Sequence, residues 1–70
     1  MSVDLKIYYI DPEDNKGSVE QVGIPEQDAF AAIKEAFEET LQVIDEGKGV
    51  VLILPPHRVT GALMRINEES

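Results

Sequence analysis

Residues 25–47, PEQDAFAAIKEAFEETLQVIDEG, form the longest stretch of helical period in the chain and divide two blocks of strand-like sequence. Phe30, Ile33, Phe37, Leu41 and Ile44 recur at steps of three and four, which sets them on one side of a helix. On either side of this segment the hydrophobic period drops to two. One amphipathic helix between two strand pairs has few ways to bury its stripe, and the simplest lays it on a sheet.

Pro25 suits the first helical position, where a missing N–H costs nothing. Glu26 and Asp28 lie near the positive end of the helix dipole, and Gly47 is a good residue just past the end. Asp45 and Glu46, however, sit at the wrong end for that dipole. A competing reading ends the helix near Thr40, makes Leu41–Asp45 a strand and turns through residues 46–49. The longer helix is preferred because the apolar stripe stays in phase through Ile44.

Before the helix, Val3, Leu5, Ile7 and Tyr9 alternate with Ser2, Asp4, Lys6 and Tyr8, as in a half-buried strand. Residues 11–17, DPEDNKG, make a turn or short loop, and residues 18–24 return as a second strand to complete a hairpin. After the helix, Val50–Leu54 is five apolar residues in a row between Gly49 and Pro55, the pattern of a central strand covered on both faces. Pro55, Pro56, His57 and Arg58 form a stiff connection to a last strand, Val59–Ile66, in which Gly61 suggests a bulge. The expectation is one small α+β domain over residues 1–70, of order β-β-α-β-β. Its single helix packs on a four-stranded, largely antiparallel sheet, and residues 67–70 form a frayed tail.

One helix covers only one face of such a sheet. The other face is expected to expose Tyr8, Ile10, Val51, Ile53 and Met64, and an apolar patch of that kind marks an interface. Beside the main helical stripe runs a second arc of Ala29, Ala32 and Ala36, small enough to admit another backbone. Composition points the same way. A 70-residue chain buries only about 60% of its unfolded surface, and its core supplies on the order of 3–5 kcal/mol. With no cysteine there is no disulfide and no thiolate metal site. Self-association is the remaining common remedy, most simply as a twofold homodimer.

The formal net charge is -8, which disfavours direct contact with nucleic acid. It suits solubility, or a basic protein partner. The charge is uneven: from Gly47 to Asn67 there is no acid, only Lys48, Arg58, Arg65 and His57. His57, Arg58 and Arg65 are the candidate contacts for an anion or for the acidic helix of a second copy. No basic n-region or long apolar run is present, so neither a signal peptide nor a membrane span is expected, and the default location is the cytoplasm.

Catalytic patterns are thin. The acidic loop fails as a calcium loop, because Lys16 stands where the sharp turn needs glycine and Val22 where the bidentate glutamate belongs. Glu35, Glu38 and Glu39 fall on the helix face opposite Phe30 and Phe37, a solvated set. No serine or threonine has a histidine base with a third orienting group, and no glycine-rich loop follows a strand. Neither metal nor cofactor is expected. The reading is a non-enzymatic acidic interaction or regulatory module that binds a protein partner and forms a homodimer. Two alternatives stand beside it: an inhibitor that mimics nucleic-acid charge to block a basic protein, and an accessory subunit of an enzyme complex.

Overall fold

A computed structural model describes residues 2–67. The first alternating segment is strand β1 (Ser2–Ile10), with Val3, Leu5 and Ile7 buried and Asp4, Lys6 and Tyr8 on the opposite face. The loop after it closes on Asp11, whose carboxylate accepts the N–H groups of Glu13 and Asn15 at 2.9 and 2.8 Å. Asp14 takes the left-handed conformation, φ 65°, which a short polar side chain tolerates. Strand β2 (Lys16–Pro25) returns antiparallel to β1, pairing Tyr9 with Gly17 and Lys6 with Glu20. Its register shifts opposite Asp4, where Val22 and Gly23 occupy a bulge and Gly23 has φ 67°.

Helix α1 (Glu26–Glu38) starts directly from Pro25, with Glu26 and Asp28 in its first turn. It is shorter than the preferred expectation, and the competing reading is the one that forms: α1 gives way to β3 (Leu41–Asp45), a turn, and β4 (Val50–Leu54). The helix ends there against its own dipole, for Glu35, Glu38 and Glu39 crowd the negative pole with no basic residue in the last turn to offset them. The gain that offsets this cost is burial, since Leu41 as a strand residue joins Leu54 in the core. Beyond Thr40, alternation of Leu41 and Val43 with Gln42 and Ile44 serves a strand as well as it served the helix. A 3-10 turn at Pro56–Arg58 leads to β5 (Val59–Ile66).

The architecture is α+β, with one helix and antiparallel strands, but the expected four-stranded sheet is split. Three strands form one sheet in the order β2-β1-β5, while β3 and β4 form a separate two-stranded ribbon. Val50–Leu54 is therefore not a central strand. The central strand is β1, flanked by β2 and by β5, which pairs Leu5 with Met64 and Ile7 with Ala62.

The helix also turns a different side to the core. Ala29 and Ala36 are 0% and 1% exposed, whereas Phe30 and Phe37 are 56% and 41% exposed. Once the helix stops at Glu38, Leu41 and Ile44 no longer extend the phenylalanine stripe. The alanine arc, a quarter-turn away at 100° per residue, can then settle closely on Val3, Leu5 and Ile7. The buried core comprises these three, Ala29, Ala36, Leu41, Leu54 and Val59, and no polar or charged side chain is buried with them among the described residues. Asn67, the first residue of the expected frayed tail, is ordered. Asn67 is tied to the body by its N–H to the Ser2 carbonyl at 3.1 Å and by its side chain to Asp4 at 3.0 Å; residues 68–70 lie outside the described residues. No helix among the described residues is long and apolar enough to cross a membrane.

Candidate functional site

The β3–β4 ribbon is an arm whose burial falls steadily from base to tip. Its register sets Leu41 against Leu54, Val43 against Leu52 and Asp45 against Val50 on one face. The first pair is buried, the second half-buried and the third exposed. Leu41 and Leu54 are thus anchors, and the rest of the arm reaches past the core they join. The other face carries Gln42 and Ile53, then Ile44 and Val51. Here Ile44, Val51 and Ile53 are 65%, 53% and 63% exposed. At the tip, the Lys48 N–H meets the Asp45 carboxylate at 3.2 Å, and Gly49 takes φ 65°.

Gln42 also lines a groove of about 220 Å³. Its floor is apolar, from Leu5, Ile7 and Val19 of the sheet, with Ala32 of α1 and Leu41 of β3 at its sides. The outward face of the arm and this groove therefore adjoin. Phe30 and Phe37 project from the other flank of the helix, away from Ala32 and Glu35.

The open face of the three-stranded sheet is mixed, with charged residues set among the exposed Tyr8 and Leu63, where an apolar face was expected. Lys6 stands against Glu20, and Asp4 against Arg65. The Lys6 ammonium lies 5.5 Å from the centre of the Tyr8 ring. Asp4 on this face is held by two hydrogen bonds. Its Oδ1 accepts the Asn67 side-chain N–H and the Gly23 backbone N–H, both at 3.0 Å. Those two bonds, with Arg65 nearby, hold its carboxyl below the usual carboxylate range.

The residues expected to make one interface are dispersed. Tyr8 and Ile10 belong to the open sheet face, Val51 and Ile53 to the outward face of the arm, and Met64 packs against the core. Ala29 and Ala36 are spent inside the chain, and Ala32 is partly covered by the core and borders the groove. The anion candidates are dispersed too. Arg58 donates to Asp14 at 2.9 Å, bracing the β1–β2 loop, and this exposed pair is worth no more than about 1 kcal/mol. His57 beside it is exposed. Arg65 lies six strand residues beyond Val59, about 20 Å away. Glu35, Glu38 and Glu39 are exposed. Among the described residues, no three His, Asp or Glu side chains come together as a metal site.

Ile44 and Val50, missed as surface residues in the sequence reading, belong to the arm. The signal was present in the competing strand assignment for Leu41–Asp45, which sends Ile44 to the face opposite Leu41. No protein-family profile matches the sequence, and no curated protein or solved structure matches it.

Proposed function

We propose that this chain is a small acidic interaction module that contacts a protein partner, self-associates and acts by binding rather than by catalysis. The observation that carries this reading is the arm: a two-stranded ribbon with Ile44, Val51 and Ile53 in water on one face. Isolated two-stranded ribbons are marginal in water and gain stability when something covers them. Contiguous apolar surface of this kind marks a contact surface. Asp28 and Glu38 of α1 and Glu39 just past it are exposed, and Glu35 borders the groove beside the arm, which offers a basic partner acidic contacts near the apolar face.

The test is capture from the source cell with the tagged chain and with a Val51→Lys/Ile53→Lys variant, each at low and at high salt. A protein held by the wild type through 0.5 M salt and lost in the variant supports binding through the arm. A partner held equally by both proteins at low salt, and released steeply by salt, would instead favour charge mimicry. Co-purification with a larger enzyme, in fixed ratio and dependent on the arm, would specify the module as an accessory subunit.

A further inference from the structure

We infer that the outer edge of β4 is the self-association surface, and that two copies pair β4 with β4 across a twofold axis into one continuous sheet of order β3-β4-β4-β3. This rests on the self-association proposed above and assigns its residues.

Four strand edges are unpaired among the described residues: β2, β5, β3 and β4. Proteins guard such edges with charges, prolines and bulges. Strand β2 carries Lys16 and Glu20, ends in Pro25 and contains the bulge at Val22 and Gly23. Strand β5 carries Arg65, and its register shifts next to Val59. Strand β3 ends in Asp45. Strand β4, Val-Val-Leu-Ile-Leu, has no charge, no proline and an unbroken register with β3. It is the one edge that lacks all three guards.

Two features single out a second copy as the occupant. The first is charge. A chain of net charge -8 repels itself wherever its acids lie, but residues 47–67 contain none. Like can meet like at β4 with the least Coulomb cost. The second is area. A compact monomer of this mass exposes roughly 4,400 Å², whereas the chain exposes 5153 Å², and Ile44, Val51 and Ile53 beside the β4 edge are apolar surface that a second copy can cover. Shape agrees, since the radius of gyration is 12.5 Å against about 11 Å for a compact chain of this length.

Leu54 is fully buried against its own body, so the pairing is confined to residues 49–53 and centres on Val51. Val51 then faces Val51 of the second copy, and Val50 faces Leu52. The outward face becomes one apolar band made of Ile44, Val51 and Ile53 from both copies.

Opposed residues in an antiparallel pair have Cα atoms about 4.5–5.5 Å apart, inside the ~4.4–6.8 Å range that a disulfide spans. The chain has no native cysteine, so Val51→Cys provides a clean probe. Sedimentation of the wild type at micromolar concentration should give twice the 7.8 kDa chain mass. Val51→Cys should oxidise to a covalent dimer under mild air oxidation, and Val51→Lys/Ile53→Lys should sediment as a monomer with an unchanged far-UV circular dichroism spectrum. A wild-type monomer overturns both this assignment and self-association itself. A wild-type dimer that survives the double lysine substitution and leaves Val51→Cys uncrosslinked overturns the β4 assignment alone. Such a dimer should then yield to Phe30→Lys/Phe37→Lys on the helix flank.

Discussion

Gly17 lies directly opposite Tyr9 in the β1–β2 pairing, and the tyrosine ring lies across it. A Cβ built on Gly17 would stand 2.6 Å from the ring carbon and hydroxyl oxygen of Tyr9, too close for either to remain where it is. Gly17→Ala must therefore push aside a side chain that packs on the core, at a cost of about 1–3 kcal/mol. Chemical denaturation should register that loss, and in a Tyr9→Val background the same substitution should become nearly neutral. Asp4 is the other residue with a readable energetic role. Its folded pKa lies below the unfolded value, which is about 3.9 for an aspartate. The native state binds the proton less well, so the stability Asp4 contributes is present above that value and fades as pH falls through the folded pKa. Thermal melts should accordingly show Asp4→Ala less stable than wild type at pH 7, with the gap narrowing as the pH falls below the unfolded aspartate value.

Two apolar arcs compete for the core side of α1, and the smaller side chains hold it. Ala36 has no room to grow: Ala36→Leu should cost about 1–3 kcal/mol through overpacking. Phe30→Gln, on the exposed flank, should cost less than Ala36→Leu in the same denaturation series. The reverse order would restore the phenylalanine stripe to the core. The arm depends on its base in the same way. Leu54 is fully buried, and Leu54→Ala removes an anchor worth about 2–5 kcal/mol. Much of the strand pattern was legible in the alternation of β1 and in the five-residue run of β4. The partner of β4 was not legible, because a run of Val, Ile and Leu reads alike whether a sheet covers it or a second molecule does. The interface candidates Tyr8, Ile10, Val51, Ile53 and Met64 were grouped by assuming one sheet. Their dispersal follows from there being two.

Among the described residues eight are buried, two of them alanines, a small core for a chain without a crosslink. Stability on the order of 3–5 kcal/mol is the expectation for such a chain alone. Association through β4 adds to this by mass action, so the melting temperature should rise with protein concentration. Scanning calorimetry over a hundredfold concentration range checks this. The Val51→Lys/Ile53→Lys variant should show no such rise.

Local pattern was enough to specify β1, β2, β4 and β5, a turn within residues 11–17, a helix starting within a residue of Pro25 and a surplus of apolar surface, because period, proline and charge act over a few residues. Where α1 stops was balanced in the sequence itself, since residues 41–45 satisfy both a helical and a strand period. Long-range packing broke the tie. Ending the helix at Glu38 leaves an acidic last turn but lets Leu41 join Leu54 in the core. The same choice moved the alanines inward, the phenylalanines outward and the apolar surplus onto an arm.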